Sequence, residues 1–308
     1  MTLAPIVLFV YNRPDHTKKT LDALSKNEWA CDSELYIFSD GPKNVDQDEK
    51  VKQTRELINS NGYKDKFKSY SVLESVHNKG LAASIIMGVN TIFESFENVI
   101  VLEDDLVTSN SFLRFMNSAL DFYRSNKKIG SISGYSPVIL NDIISESDVY
   151  FTPRNCSIGW ATWKHVWSHI DWDMKAYQIF SKSLRARFKF NRYGLDRATR
   201  LDNHMLGKTH SWSIRFGYYL VFHDLLVVYP KQSLLKHIGW DGSGTNTSEI
   251  NKQYELYNSE VSTDIKYFNF SKQVFESQEA KYKFRKIYSG SILQQFKLIL
   301  KTVFNRYV

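Results

Sequence analysis

Apolar runs and amphipathic stretches alternate over the first hundred residues. Short runs rich in β-branched and aromatic residues predict buried strands, and apolar positions with helical spacing predict helices between them. The predicted strands are residues 5–11, 34–39, 70–73 and 99–102, and the predicted helices are residues 16–25, with Asp15 as N-cap, 45–59 and 80–96. Alternation of strands and helices is typical of a parallel sheet with right-handed crossovers.

The rest of the chain carries a less regular pattern. We predict a helix over 109–123, capped by Ser109 or Asn110, a strand over 129–133, and two short strands over 225–239, separated by a turn at Pro230. Residues 291–308 place apolar residues at positions i, i+3, i+4 and i+7, which predicts an amphipathic helix.

The pattern predicts two parts. The first is an α/β catalytic domain over 1–250, with a ligand-binding half over 1–107 and a second half over 108–250. The second is a helical extension over 251–308.

The composition is that of a folded, basic protein. Its 308 residues are 43% hydrophobic and 24% charged, which excludes a wholly disordered chain. A net charge of +7 favours anionic partners such as nucleotides or acidic lipids. Basic residues concentrate in 181–200, but no motif that reads nucleic acid accompanies them, so we expect no nucleic-acid partner.

Several features bear on location. Cys31 and Cys156 are far apart and outside any C-x-x-C motif, which predicts free thiols in a reducing compartment. The N-terminus lacks the basic lead-in of a signal peptide, and no apolar run has the roughly 20 residues of a membrane span. We therefore expect a cytoplasmic protein. The helix over 291–308 either docks on the body or attaches it peripherally to the anionic inner face of the cell membrane.

Polar side chains follow three of the predicted strands at the point where each strand ends. Asn12 and Arg13 follow the first strand, Asp40 follows the second, and the carboxylates of residues 103–105 follow the fourth. Because open α/β sheets bind ligands at the carboxyl ends of their strands, we expect these groups to face one crevice.

The three consecutive carboxylates, Glu103, Asp104 and Asp105, form a candidate metal site. Like charges repel unless a cation lies near them, and carboxylate oxygens suit Mg²⁺ or Mn²⁺, which phosphate and water also ligate. Acidic runs are more often solvated turns, but the apolar approach over 99–102 favours a site. Arg13 has the planar fork that suits phosphate oxygens.

Two further groups are candidates for binding a nucleotide. Asp40 is expected to accept a hydrogen bond from a base edge. The backbone N–H groups of residues 77–80, including Lys79, precede a predicted helix and are expected to face an anion.

These residues together resemble a GT-A glycosyltransferase, and more narrowly the N-acetylglucosaminyltransferase I family and its bacterial relatives in surface polysaccharide synthesis. The resemblance covers roughly residues 4–248 and rests on PIVLFVYNRPDHTKKTLDAL, IFSDG, HNKGLAASIIMGVNTIF, VLEDDLVTSNSFLRFM, SIGWATWKHVW and HSWSIRFGYYLVFHDLLVVYPKQSLLKHIGWDGSGTN. It implies a GT-A, Rossmann-like fold. It also implies transfer of a sugar, with inversion, from a nucleotide-sugar donor, expected to be a UDP-sugar, to a glycan or lipid-linked oligosaccharide acceptor.

The resemblance also implies roles for individual residues. Asp105 would ligate Mn²⁺ (or Mg²⁺), whereas Glu103 and Asp104 would orient the ribose and the sugar. Arg13 would contact the diphosphate, and Asp40 would read uracil.

The catalytic base is where this chain departs from the family. The family has an aspartate just before a tryptophan in the late block, but this chain has Thr209-His210-Ser211-Trp212. His210 is the leading candidate because imidazole titrates near neutrality. Asp202 and Asp241 are rival candidates.

His237 and the turn over 239–244 are expected to close over the donor. His237 either completes the metal site or serves a structural role. Tryptophans are further candidates, as platforms on which a sugar stacks, and they are Trp160, Trp163, Trp212 and Trp240.

Two other functions fit parts of the pattern. A sugar nucleotidyltransferase usually has a glycine-rich basic loop after its first strand, whereas residues 11–19, YNRPDHTKK, contain no glycine. A non-catalytic carbohydrate- or nucleotide-binding module would not need a metal-chelating strand end opposite a base-reading aspartate. The pattern predicts no particular oligomeric state.

Overall fold

Helices flank a central sheet in the structure, a computed structural model that describes residues 2–138, 140, 147–241 and 265–304. The strands are β1 (Ile6–Val10), β2 (Glu34–Ser39), β3 (Ser69–Glu74), β4 (Asn98–Glu103), β5 (Leu106–Thr108), β6 (Ile129–Ser133), β7 (Val149–Thr152), β8 (Trp160–Trp163), β9 (Leu226–Pro230) and β10 (Leu235–His237). The helices are α1 (Pro14–Leu24), α2 (Val45–Asn59), α3 (Leu81–Ile92), α4 (Phe112–Tyr123), α5 (Lys164–Trp167), α6 (Tyr177–Lys182), α7 (Leu184–Phe190), α8 (Arg197–Met205), α9 (Trp212–Phe222), α10 (Gln278–Ser289) and α11 (Ile292–Phe304).

The sheet has the strand order β3-β2-β1-β4-β8-β6-β9-β7 over the described residues. Neighbours run parallel in the pairs β3–β2, β2–β1, β1–β4 and β6–β9. Strand β8 runs antiparallel to β4 and β6, and β7 runs antiparallel to β9. The predicted α/β fold, with a mostly parallel sheet and flanking helices, is therefore confirmed. Strands β5 and β10 form a separate antiparallel ribbon.

The strand sequences explain why β1 and β4 lie side by side in the centre. Every residue of β1 (IVLFV) is buried, and β4 buries residues 99–102. Continuous apolar runs of this kind are typical of strands covered on both faces. The four strands predicted over the first hundred residues are confirmed, as are the strand over 129–133 and the two over 225–239.

Some local predictions were wrong. Helix α1 begins at Pro14 with Arg13 as its N-cap residue, so Asp15 lies in the first turn and does not cap the helix. Proline suits the first helical position because the N–H that it lacks would have no partner in the helix there. Helix α4 begins after Ser111, just beyond the predicted caps. Strands β5, β7 and β8 were not predicted, because three or four residues give too little periodicity.

Helices α6 to α9 enclose a second, smaller core. Its buried apolar residues are Met174, Tyr177, Phe180, Phe190, Ala198, Leu201, Ile214 and Val221. Within this region, Arg187 and Asp202 form a bidentate ion pair with N–O distances of 2.9 and 2.6 Å, and their side chains are 0% and 2% exposed. Tyr177 donates a further hydrogen bond to Asp202 at 3.1 Å.

The segment over residues 265–289 packs against the main core and contributes buried side chains to it. Phe284 of α10 is fully buried and meets the ring of Tyr229 at a centroid distance of 5.6 Å. Phe268 and Phe270 pack on Phe115 of α4. Residues 265–289, which were predicted to belong to the extension, therefore pack on the α/β domain. Residues 251–264 lie outside the described residues, and the division at residue 250 stays a prediction.

Helix α11 is the described part of the helix predicted over 291–308, and residues 305–308 lie outside the described residues. Polar contacts join it to the body. Arg187 donates from Nε to the carbonyl oxygen of Thr302 at 2.8 Å, and Asn191 donates to the Thr302 hydroxyl at 2.9 Å. Arg187 Nη2 also donates to the carbonyl oxygen of Lys301 at 3.4 Å.

Two features relevant to location are visible in the described part of the chain. Cys31 and Cys156 are both free thiols, as predicted. None of the helices described has the length and the apolar character that crossing a bilayer requires.

We predict that Asp202→Asn lowers the free energy of unfolding by about 3–5 kcal/mol, because it leaves the buried Arg187 guanidinium without its counter-charge. Urea denaturation measures this quantity. Asp224→Asn is the matched control, since Asp224 pairs with Lys189 at 2.8 Å but is 83% exposed, and it should cost only about 0–1 kcal/mol. Equal small losses in both variants would contradict the structural role of the Arg187–Asp202 pair.

Candidate functional site

Arg13 and the acidic triplet meet at the carboxyl ends of β1 and β4. The two strands are parallel neighbours, with Phe9 opposite Glu103 in register, so the residues that follow them emerge side by side. Arg13 donates from Nη1 to Asp105 Oδ2 at 2.7 Å and lies 3.5 Å from Asp104 Oδ1. The three side chains are only 10–14% exposed. The structure thus brings together the predicted phosphate-binding and metal-binding residues, and it pairs the carboxylates with an arginine.

The β5–β10 ribbon brings His237 to the same place. Leu106 of β5, which follows the triplet directly, pairs with His237 of β10. Beyond the ribbon, Ile238 donates its backbone N–H to the carbonyl oxygen of Asp105 at 2.9 Å. His237 Nε2 consequently lies 3.6 Å from Asp105 Oδ2, and Trp240 stacks on the imidazole at a centroid distance of 4.4 Å.

The hydrogen bonds of His237 favour its structural alternative over the metal role. Nδ1 accepts the backbone N–H of Gly239 at 3.2 Å, so a neutral imidazole carries its proton on Nε2, the nitrogen that faces Asp105. Burial lowers the pKa of His237, and Asp105 opposes this effect. The protonated Nε2 of His237 therefore faces Asp105, and this nitrogen could ligate a metal only if the Gly239 N–H turned away.

Gly239 lets the chain lie directly against the triplet. A Cβ atom at this position would lie 2.1 Å from Asp105 Oδ2, which is far too close, and 3.0 Å from Arg13 Nη2, which is tight. Only glycine fits here without displacement of the loop or of the Arg13–Asp105 pair. Of the glycine-rich turn that the sequence singled out, residues 242–244 lie outside the described residues.

Asp241 lies at the rim of the same site. Its carboxylate is 47% exposed, with one oxygen 3.1 Å from His16 Nε2 and the other 4.0 Å from Arg13 Nη2. His16 was not predicted as a site residue, because a histidine in the first turns of a helix carries no distinctive signal.

Thr20 is a positioning residue that the sequence analysis also missed. Its hydroxyl donates to the carbonyl oxygen of Asp104 at 2.8 Å and accepts the backbone N–H of Leu106 at 3.1 Å. The side chain is fully buried on α1, and it fixes the peptide that presents the triplet. A threonine on the apolar face of a predicted helix was the available signal, because a buried hydroxyl needs a partner.

Two carboxyl groups of the triplet have raised pKa values. Burial raises the pKa of Asp104 to about 7, with the Asp105 charge adding to the rise and Arg13 opposing it. Burial, followed by the charges of Asp105 and Asp104, raises the pKa of Glu103 well above its usual range. One guanidinium thus compensates three crowded carboxyl groups only in part, and a cation bound nearby would favour their ionised forms.

These residues fit a divalent cation of the Mg²⁺ or Mn²⁺ type. Such ions take oxygen ligands and need only one or two protein carboxylates when phosphate and water complete the shell. Asp105, whose side chain is 11% exposed, supplies an oxygen donor. Within the described residues, no group of three or more His, Cys, Asp or Glu side chains forms a complete metal site.

Asp40 is placed differently from its predicted role. Its two carboxylate oxygens accept the backbone N–H groups of Gly41, Lys79 and Gly80 at 2.9–3.1 Å. These bonds use the acceptor sites that a base edge would need. They also use the N–H groups of Lys79 and Gly80, which were expected to face a bound anion. The geometry argues against both predicted contacts and assigns Asp40 to fixing the start of α3.

The base candidates lie in three different settings. Asp202 is enclosed in the buried pair with Arg187, which argues against its predicted role as a base. Asp241 lies with Arg13 in the site. His210 is exposed on the turn that leads into α9.

The position of α9 relates His210 to the triplet. Trp212, the first residue of α9, stacks on Trp160 at a centroid distance of 4.7 Å. Trp160 pairs with Val101 in the sheet, two residues before Glu103. Trp212, two residues after His210, therefore packs near the end of β4 that leads into the triplet.

The tryptophans divide into core and site residues. Trp160, Trp163 and Trp212 are at most 4% exposed and serve the core, so they do not offer a surface for sugar stacking. Trp240 is partly exposed beside His237 and remains the candidate platform.

Comparisons with known proteins give no close relative. No protein-family model matches the chain, and no curated protein matches it. Similar solved structures include a cytidylyltransferase from Leptospira borgpetersenii serovar Hardjo-bovis (12% identity, TM-score 0.35), TarS from S. aureus (14%, 0.38), and a protein from Bacillus anthracis described as a glucose-1-phosphate thymidylyltransferase in complex with a sucrose (13%, 0.33).

These matches are partial. They cover 56%, 54% and 56% of this chain, and 64%, 30% and 77% of the respective matched chains, so the first two are matched over less than two thirds of their length. TM-scores of 0.33–0.38 do not establish a shared activity. The family that the sequence resembles stays a prediction.

We predict that Gly239→Ala lowers the melting temperature by about 2–6 °C, because the added methyl group overpacks the contact with Asp105. Differential scanning calorimetry measures the change. Gly62→Ala is the control, because the nearest atom to a Cβ there is 3.9 Å away. If both variants melt like the wild type, residue 239 does not rest on Asp105.

Proposed function

We propose that this protein is a metal-dependent glycosyltransferase. It moves a sugar from a nucleotide-sugar, expected to be a UDP-sugar, to a glycan or lipid-linked acceptor in bacterial surface polysaccharide synthesis. The observation that carries the proposal is the meeting of Arg13 with Asp104 and Asp105 where β1 and β4 end. A cationic fork beside paired carboxylates in one crevice suits a diphosphate together with a divalent cation.

The chemistry requires charge stabilisation at the leaving group. Sugar transfer breaks the bond between the anomeric carbon and a diphosphate oxygen, and negative charge develops on the departing nucleotide. Mn²⁺ or Mg²⁺, when bound, would supply Lewis-acid stabilisation of that charge. Asp105 is the proposed protein ligand, and Arg13 is the proposed hydrogen-bond donor to the diphosphate oxygens.

The neighbouring side chains would position Asp105 and Arg13. His237 Nε2 lies 3.6 Å from Asp105 Oδ2, and Thr20 fixes the triplet backbone through the carbonyl oxygen of Asp104. Glu103 and Asp104 are proposed to accept hydrogen bonds from ribose or sugar hydroxyls. Partly buried groups held by a packed sheet need little reorganisation when charge develops.

The acceptor hydroxyl must lose a proton, and His210 is the proposed base. It is exposed two residues before Trp212, which stacks on Trp160 next to the end of β4. Asp241 is the rival, but its carboxylate lies beside His16 and Arg13, which suits a residue that holds the donor-side loop.

The first prediction from this proposal concerns metal-dependent nucleotide binding. Isothermal titration should show that Mn²⁺ tightens UDP binding and that Asp105→Asn weakens the metal-dependent affinity by about 100-fold or more. Loss of a direct metal ligand should cost at least as much as loss of an outer partner of the metal. Asp65→Asn, at a side chain that is 74% exposed, should leave the affinity unchanged. Binding of UDP that is indifferent to Mn²⁺ would sink the proposal.

The second prediction concerns the base. His210→Gln should lower kcat by about 10²–10⁴-fold with little change in the KM for the donor, because general base catalysis contributes on this scale. Asp241→Asn should chiefly raise the KM for the donor. His223→Gln, at an exposed position at the other end of α9, is the control. Steady-state kinetics with a transferred sugar distinguishes the two residues, and near-normal kcat in His210→Gln would exclude His210.

A further inference from the structure

Helix α11 contacts the body through one side. Thr302 is fully buried, and Gln295, Leu298 and Val303 are partly covered. Positions 295, 298 and 302 are spaced i, i+3 and i+7, so they lie on one side of the helix. The anchors on the body are polar, namely the contacts of Arg187 and Asn191 with Thr302.

The apolar face of α11 points away from the body. Its side chains are 39–86% exposed, and they are Ile292, Leu293, Phe296, Ile299, Leu300 and Phe304. At 3.6 residues per turn, these positions occupy an arc of roughly 140°. A surface helix ordinarily turns such a face toward the core. An apolar patch of this kind, left exposed on a folded body, marks an interaction surface.

The charges around this face indicate what covers it. Helix α11 contains Lys297 and Lys301 and no acidic residue, and helical spacing places Lys297 beside Leu293 and Leu300. Arg285 and Lys286 are exposed on α10, the preceding helix. Apolar side chains bordered by cations match a surface that is apolar beneath and anionic at its boundary.

An exposed tyrosine on α10 also suits a surface that is apolar beneath and anionic at its boundary. Tyr282 is 70% exposed and lies on the same side of α10 as Arg285 and Lys286, at spacings of i+3 and i+4. Tyrosine is enriched where bilayer and water meet, because its ring is amphipathic.

We propose that the exposed face of α11 docks on an anionic phospholipid bilayer, with the helix lying along the surface. The helix has 13 residues and so is about 20 Å long, whereas a helix that crosses the hydrocarbon core needs roughly 20 residues. Buried apolar side chains would supply adhesion, and the cations would select anionic headgroups. This inference is independent of the proposed sugar transfer, because it rests on a surface remote in sequence from the acidic triplet.

Vesicle co-sedimentation of the full chain tests the proposal. The wild type should bind vesicles of phosphatidylcholine mixed with phosphatidylglycerol at least about tenfold more tightly than vesicles of phosphatidylcholine alone. The combined variant Leu293→Ser, Phe296→Ser and Leu300→Ser should lose about tenfold or more of that affinity. Lys297→Gln combined with Lys301→Gln should remove most of the preference for the anionic lipid.

A matched control keeps the test specific. Val45→Ser, Ile179→Ser and Tyr267→Ser combined remove three side chains that are 77–87% exposed elsewhere, and this variant should bind vesicles like the wild type. Melting temperatures of all variants should agree, because none of the substituted side chains is buried. The proposal fails if the wild type does not bind, if the α11 and control variants bind alike, or if light scattering shows a dimer that only the α11 variant dissociates. The last result would assign the face to a second copy of the chain.

Discussion

The contact between Arg13 and Asp105 is the interaction on which the site depends. Three consecutive carboxyl groups at the end of a buried strand would repel one another, and burial together with the Asp105 charge raises the pKa of Asp104 to about 7. Arg13 moderates this repulsion because β1 and β4 are parallel neighbours, and their carboxyl ends therefore emerge together. Arginine remains charged in this environment, so the crevice keeps a fixed cation beside its carboxylates.

The surrounding elements hold that contact in place through backbone geometry. Thr20 of α1 donates a hydrogen bond to the backbone of the triplet, and the pairing of β5 with β10 places His237 next to Asp105. The close approach of Gly239 requires the absence of a side chain. Residues from α1, from the β5–β10 ribbon and from the turn after it thus surround Asp105, which we place at the centre of the proposed transfer chemistry.

The same chain carries two charged pairs with very different settings. Arg187 and Asp202 are sealed in the smaller core, where their ion pair supports α7, α8 and the end of α11. Arg13 and Asp105 keep 14% and 11% of their side chains exposed. Local sequence does not separate the two cases, because the burial of each pair is set by the elements packed around it.

The sequence by itself determined the parallel strands, the positions of their carboxyl ends and the apolar face of α11, since each follows from a short-range periodicity or an apolar run. Asp40 and Asp202 show where it fell short: each has a side chain typical of a site, but backbone N–H groups surround the first and a buried guanidinium neutralises the second. Only the tertiary structure decided which carboxylates remain available to a ligand and which face of α11 remains exposed. The reason is that residues from other elements occupy the carboxylate oxygens and cover the other helix faces.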